Sequence, residues 1–459
     1  MERLQGMAMT SAAQPAFHKV PEQVNFPAQE EAILALWQEH DAFQQSIKRR
    51  KDAGCPDFVF YDGPPFATGT PHYGHLLAGT IKDIVPRYWT MRGHHVPRRF
   101  GWDCHGLPIE ALAQEALGLA GAGQITEHSV DRFNEQCRSM VQTYVDEWQR
   151  TVTRMGRWVD FENDYKTMDR DFMESVWWVF AQLWQQGRIY KSYRIMPYSW
   201  KLTTPLSNFE ANSNYKDVQD PAVTVRFTVK TGAPKQWGDQ VYFLAWTTTP
   251  WTLPENLALC VGPEINYVGV RPANSDETLV MAEALVSTLF PEDSGATIVG
   301  SASGKDLLGA TYEPLFPYWQ DQANAFVMLN ADFVATDSGT GIVHMAPAYG
   351  EDDFAICKKA QIDIVDGLDA EACFLPIVSD FAGRHCKEAD GDIIRWLKEQ
   401  GKLQRQSTIM HSYPFCERTE TPLIYRAIDA WYVRVEDLRE RMVELNDEVR
   451  WVPAAVGNA

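Results

Sequence analysis

The chain has 459 residues, of which 45% are hydrophobic and 22% charged, and its 61 acidic against 42 basic side chains give a formal charge of −19. That length exceeds one compact core, so two or three domains are expected, and the acidic balance excludes a generally basic nucleic-acid binder though not a local basic track. No apolar run of about 18 residues occurs, so no membrane span is expected. The N-terminus has neither an apolar signal core nor the Arg-rich character of an organelle presequence, which leaves the cytoplasm as the expected compartment. Eight cysteines are scattered without a C-x-x-C pair, so neither a disulfide framework nor a zinc knuckle is indicated.

After a polar leader, Ile33, Leu36, Trp37 and Phe43 recur at helical spacing, which predicts a leading helix whose apolar stripe is core. The cluster Lys48-Arg49-Arg50-Lys51 reads as a solvated helix face. A β-type run, Phe58-Val59-Phe60-Tyr61, then leads into a loop through Gly63-Pro64-Pro65, and His72-Tyr73-Gly74-His75 opens an amphipathic segment with Leu76, Leu77, Ile81, Ile84 and Val85. That order is strand, loop, helix N-terminus. A helix N-terminus presents unpaired N–H groups and partial positive charge, so it attracts phosphate. Imidazoles at i and i+3 share a face there and can donate to one phosphate group, while Gly74 between them leaves room for a base or ribose.

A second strand is expected from His94 to Trp102, ending at Asp103, with Gly106-Leu107-Pro108 starting the next helix. In an open parallel sheet ligands gather at the carboxyl ends of strands, where both motifs would lie. Asp103 also suits the plain role of a helix N-cap. Helical patterns run from Ser129 to Met155 and from Asp169 to Gln186, with Trp148, Trp177, Trp178 and Trp184 read as packing. Between Asp217 and about Ile409, short β-rich runs such as AVTVRFTV and QVYFLAW predict an inserted barrel-like domain. It contains Thr247-Thr248-Thr249-Pro250 and a Gly-rich loop from Gly339 to His344 that continues to an acidic cluster ending at Asp353. Small hydroxyl residues before a proline can line a tight pocket with donors and acceptors. Alone they mark a Thr-rich edge and turn, but beside His344 and the acidic cluster they read as a site.

The segments DGPPFATGTPHYGH and GWDCHGLPIE together resemble the class I aminoacyl-tRNA synthetases, with His72 to His75 where that family has its HIGH signature. The isoleucyl branch is the nearest in pattern, since the valine enzymes carry a GTDHAG-like segment and the leucine enzymes a GWDAFG-like one in place of Gly101 to Gly106. The resemblance implies an isoleucine–tRNA ligase: the isoleucine carboxylate attacks the α-phosphate of ATP, accompanied by Mg2+, and the acyl group then passes to a ribose hydroxyl of tRNA(Ile). His72 and His75 would be the catalytic phosphate contacts, Gly74 would let the base pack, Pro64 would touch the aliphatic side chain, and Asp103 would pair with the substrate ammonium. The insertion resembles the family's hydrolytic editing site. There Asp353 would anchor the amino group of misattached valine, and Thr247, Thr248, Thr249 and His344 would surround the ester. Asp352 stands where relatives often have Glu. One missing methylene changes binding by only about 1–3 kcal/mol, a figure for which isoleucine against valine on this kind of enzyme is the reference case, so a second, smaller pocket is needed.

Where relatives hold zinc with Cys pairs, this chain has only Cys416, so no zinc is expected. No KMSKS-like lysine loop precedes the final WVPAAVGNA. The chain is therefore expected to be the N-terminal part of a synthetase, without the KMSKS half and the anticodon-binding domain, and unable to activate isoleucine alone. The expected fold is α/β: a leader and N-terminal helix over 1–45, the first half of an incomplete Rossmann-like parallel sheet with a helical extension over 46–213, an inserted β-rich barrel-like editing domain over 214–409, and a return to the catalytic domain over 410–459. Expected partners are tRNA(Ile) and isoleucine, with a monomeric chain. The alternatives are a trans-acting aminoacyl-tRNA deacylase and an inactive tRNA-binding remnant. ATP protection of the His72 region separates the remnant from a retained site.

Overall fold

The computed structural model describes residues 22–119 and 122–458, so most of the polar leader lies outside the described residues. The chain divides into two compact units, Met1–Ala113 with Asp131–Trp177, and Gln114–Val130 with Trp178–Ala459.

In the first unit, the Asn25 side chain accepts from the Ala28 N–H at 3.2 Å and starts α1 (Phe26–Glu39), followed by α2 (Ala42–Asp52). The single leading helix expected from spacing is thus a pair, broken at Asp41, whose φ is +46°. Trp37 meets the Trp158 ring edge-on at 5.2 Å, while Ile33 and Leu36 stay exposed, so only part of the stripe is core. The long helix α3 (Tyr73–Met91) begins where the sequence placed it, with His72 as its cap. The expected strand at residues 58–61 does not form a ladder. Isolated parallel bridges, Asp57 to His95 and Phe66 to Asp103, bracket an extended segment instead. Pro56, Pro64 and Pro65 have no N–H to give a ladder, and Tyr61 is 91% exposed, so neither pairing nor burial holds a regular strand.

The strand β1 (Arg99–Trp102) pairs in parallel with β2 (Asp160–Lys166), with a register shift between Arg99 and Gly101. The Tyr165 ring crosses Gly101 so closely that a Cβ there would lie 2.2 Å from it. The helix α4 (Leu107–Leu117) starts where predicted, α5 (Ala122–His128), which belongs to the second unit, falls in no predicted stretch, and α6 (Val130–Val141), α7 (Val145–Arg154) and α8 (Arg170–Gln185) follow the predicted helical stretches. Phe100, Trp102, Ile109, Val141, Trp148 and Val152 form this unit's core. Trp148 is packing, as expected. Trp177 and Trp178 are not: they are 73% and 64% exposed on α8, and Trp184 is exposed as well.

The second unit carries β3 (Ile189–Ser199), β4 (Thr204–Pro205), the short α9 (Asn208–Ala211), and β5 (Tyr215–Thr231). Then come β6 (Val241–Thr247), β7 (Ala258–Val261), β8 (Asn266–Arg271), β9 (Thr278–Ala282), α10 (Val286–Leu289), β10 (Thr297–Ser303), β11 (Thr311–Tyr312), β12 (Val327–Asn330) and β13 (Ile342–Met345). The helices α11 (Glu351–Lys359) and α12 (Cys386–Glu399), the strands β14 (Leu403–Pro414) and β15 (Ile424–Val433), and α13 (Arg439–Asp447) complete it. The main sheet runs β10-β8-β9-β6-β5-β11-β12-β7-β13, with β14 also paired to β5, and β15-β3-β4 form a separate sheet. Its core takes in Val223, Val225 and Phe227 of β5, Phe243 and Leu244 of β6, and Leu259 and Cys260 of β7.

The path ends at β10 and β13, which form no ladder with each other among the described residues, so the sheet curls without closing. β13 comes back beside β6. There β6 gives out at Thr247 into a 3-10 helix over Pro250–Glu255, whose Pro250 and Pro254 have no donor to extend pairing. No described helix is long and apolar enough to cross a membrane.

Candidate functional site

The first candidate site is the tip of α3. The His72 Nδ1 accepts from the Gly74 N–H at 3.1 Å, and the His75 Nδ1 accepts from the His72 N–H at 3.3 Å, a reciprocal cap made by two imidazoles. Their rings stack with centroids 3.6 Å apart. Because each δ nitrogen spends its lone pair on a backbone N–H, the neutral rings carry their protons on Nε2. Two N–H donors are thereby left for a ligand at the positive end of a helix. Burial, then the neighbouring His72 and Lys82, lower the His75 pKa, which keeps it a neutral donor. A Cβ on Gly74 would lie 3.0 Å from the His72 ring, so glycine here also clears space for the cap.

The loop before the helix is tied down by a charge cluster. The Asp62 carboxylate pairs with both Lys82 and Arg157, Lys82 Nζ donates to the Gly63 carbonyl at 2.9 Å, and the Tyr165 hydroxyl donates to the Asp62 carbonyl at 3.0 Å. Trp148 Nε1 donates to the Gly69 carbonyl at 2.8 Å, and its ring lies 4.7 Å from that of His75. Asp103 stands just past β1, where its N–H donates to the Pro65 carbonyl at 2.9 Å and its Oδ1 lies 3.5 Å from the Thr167 hydroxyl. Asp103 and the Pro64-Pro65 segment are therefore backbone neighbours. A hollow beside α3 is lined by Asp62, Pro65, His75, Lys82, Trp148 and Arg157. Of the residues singled out from sequence it takes in His75; His72, Pro64 and Asp103 stand outside its lining.

The second candidate site lies where β6, the 3-10 turn and β13 meet in the second unit. The Thr247 hydroxyl accepts from the Thr249 N–H at 3.1 Å, and the Thr252 hydroxyl donates to the Thr249 carbonyl at 2.9 Å. His344 Nε2 is 2.8 Å from the Thr252 hydroxyl, and its Nδ1 is 3.3 Å from the Asn256 amide nitrogen. Burial lowers the His344 pKa to about 4. Thr248 is only partly buried. Asp353, in the first turn of α11, accepts from the Ala346 N–H at 2.8 Å and so fastens the loop that follows His344. Burial is the main cause that raises its pKa to about 6, opposed by the Ala346 hydrogen bond and assisted by Asp352. Asp352 itself is exposed.

Residues 32–459 match the model of the class I tRNA synthetases for I, L, M and V. The chain belongs to this family. Among its relatives, the isoleucine–tRNA ligase of Chlamydia trachomatis serovar L2 is 49% identical over 437 residues, covering 95% of this chain and 41% of the relative. That of Bdellovibrio bacteriovorus is 51% identical over 440 residues, with 95% and 41% covered. The cytoplasmic isoleucine–tRNA ligase of Saccharomyces cerevisiae is 49% identical over 441 residues, with 94% and 40% covered. The chain thus spans about 41% of the length of the curated relatives it matches. A solved structure titled "The crystal structure of GlLeuRS-CP1" is 19% identical and covers 40% of this chain at a TM-score of 0.32, too distant to carry an argument.

Several residues of this synthetase chain escape a reading by motif. Asp62, Lys82, Arg157 and Tyr165 hold the Gly-Pro loop, and only the placing of Asp62 directly before Gly63-Pro64-Pro65 hints at it. Thr252 and Asn256 meet the two ring nitrogens of His344, and the Tyr312 hydroxyl donates to the Asn256 amide oxygen. Asp390 on α12 accepts from the Trp251 N–H at 2.8 Å and braces the threonine turn, with burial raising its pKa to about 7. Thr252 lies inside the Thr- and Pro-rich motif and could have been included. Tyr312 and Asp390 carry no local signal. Among the described residues, no group of three or more His, Cys, Asp or Glu side chains is arranged to hold a metal ion.

Proposed function

We propose that this chain is the N-terminal part of an isoleucine–tRNA ligase, carrying the HIGH half of the site that activates isoleucine with ATP for transfer to tRNA(Ile). The observation that carries the reading is the pair of capped imidazoles at the tip of α3. Their Nε2–H groups are oriented by the helix backbone and can donate to phosphate oxygens. Such chemistry forms no covalent intermediate with the enzyme, so positioning and charge stabilisation at phosphorus supply the rate. Asp103 would pair with the substrate ammonium and Pro64 would touch its aliphatic chain. Mg2+ would arrive on the ATP phosphates, keeping several waters among its ligands.

The β-rich unit is read as the inserted editing domain, proposed over 214–409 and barrel-like in its curl. Thr247, Thr248, Thr249 and His344 would border the ester of misattached valine, with Asp353 anchoring its amino group. The fastening of Asp353 to the loop after His344 supports a common location for these residues.

Isoleucine-dependent ATP–pyrophosphate exchange tests the first site. In the full enzyme that contains this chain, His75→Ala is expected to lower the exchange rate by roughly 10²-fold or more, the scale of losing an oriented transition-state donor. An unchanged rate would sink the assignment.

A further inference from the structure

We infer that Tyr312 and Asn256 are positioning residues that dictate which nitrogen of His344 carries the proton and, through it, the shape of the Thr249 to Thr252 turn. The argument begins with the Asn256 amide, whose two ends are fixed independently. Its nitrogen donates to the Ala258 carbonyl at 2.9 Å, and its oxygen accepts from the Tyr312 hydroxyl at 2.7 Å. The remaining amide hydrogen faces His344 Nδ1, so that nitrogen must offer its lone pair.

The proton of the neutral ring then sits on Nε2 and points at the Thr252 hydroxyl. Thr252 in turn gives its own proton to the Thr249 carbonyl. Every step has one direction. Tyr312, Asn256, Thr252 and His344 are all buried, so water does not compete for these partners. Protonating His344 at Nδ1 would press an N–H against an amide N–H, with no acceptor between them. Burial is the only cause acting on its pKa, with no charged neighbour contributing. His344 in this setting is neither a general base nor a general acid: it is a spacer that transmits the orientation of Asn256 to the threonine turn. Its consequence for hydrolysis rests on the editing reading, whereas the proton arrangement does not.

Nuclear magnetic resonance of the chain labelled with 15N-histidine reads the tautomer directly, with the His344 signals assigned by their loss in His344→Gln. The expected spectrum shows Nε2–H with a lone-pair Nδ1, unchanged between about pH 5 and 8, the range in which an ordinary histidine titrates. A proton on Nδ1, or titration in that range, overturns the inference. Asn256→Asp removes the amide donor and is expected to move the proton to Nδ1, and Tyr312→Phe to give a mixture of both forms. In valyl-tRNA(Ile) deacylation by the full enzyme, each variant is expected to lower kcat about 10-fold with KM within about 2-fold, the mark of a misplaced turn. Variants that retain both the wild-type tautomer and wild-type kcat refute it. If either fails to fold, the wild-type spectrum still decides. A wild type that does not deacylate the substrate overturns the editing reading alone, because the spectrum is read without it.

Discussion

Glu255 is a carboxylic acid held wholly away from solvent. It is fully buried, its Oε1 accepts from the Tyr349 hydroxyl at 2.7 Å, and its Oε2 has no hydrogen-bond partner. Burial raises its pKa to about 8, against the pull of Tyr349 and of Arg426 nearby, so it is largely neutral at pH 7. Since the folded pKa lies above the unfolded one, the folded state holds the extra proton between about pH 4.5 and 8, and stability must fall as pH rises through that window. Asp390 and Asp353 slope the same way over narrower ranges. Glu255→Gln keeps the shape and removes the titration. Urea unfolding across this range is expected to show a flatter pH dependence in the variant, by on the order of a few kcal/mol between the extremes. Equal slopes in both proteins would refute the buried-acid account. None of this was legible in the sequence, where Glu255 is one acid among many beside Pro254; only the folded partners make it exceptional.

At the scale of elements, local signals were read correctly where several agreed. The start of α3 at His72 combined a Gly- and Pro-rich loop, a polar cap and a following apolar period, and α4 began with Pro108 in its first turn. An apolar run over residues 58–61 does not suffice for a strand where the prolines around it have no N–H to give. The tryptophans of α8 are exposed where the sequence predicts packing, because side-chain size says nothing about whether a neighbour exists to cover it. α3 itself shows the same pattern: Tyr73, Leu77, Ile81, Ile84, Tyr88 and Met91 follow one another at helical spacing and all are exposed. A continuous apolar stripe of this kind binds other apolar surfaces. The chain is expected to bind a hydrophobic reporter dye and to self-associate in a concentration-dependent way. Leu77→Gln with Ile81→Gln should reduce both effects while leaving the circular dichroism unchanged, and dye binding unaffected by the double change would point to another surface.

For the whole molecule, the β-rich texture expected from Asp217 onward is present in β5 to β14, and the motifs singled out within it have partners far apart in sequence. That its sheet stays open between β10 and β13 is not readable in the sequence, because pairing between strands so far apart along the path depends on the curl of the whole sheet. The two units also differ in how they are stabilised. The second has an extensive core with many side chains fully shielded from solvent, whereas the first relies on a small aromatic cluster around Phe100, Trp102 and Trp148 and on the Asp62 ion cluster. Calorimetry is therefore expected to show two transitions, the first unit melting at the lower temperature. Lys82→Met should lower that first transition only, since it removes one charged hydrogen-bond partner of a shielded carboxylate that keeps Arg157, at a cost of about 1.5–3 kcal/mol. A single cooperative transition in both proteins would argue against independent units.

The reciprocal cap at His72 and His75 has a mechanical consequence. Under the proposed function the same two rings that close the end of α3 would also hold a phosphate, so unwinding one turn would disarm the clasp, and an anion held by both rings would staple that turn shut. Amide hydrogens at the beginning of α3 should then exchange with solvent more slowly when ATP is present, making the helix tip its own reporter of occupancy.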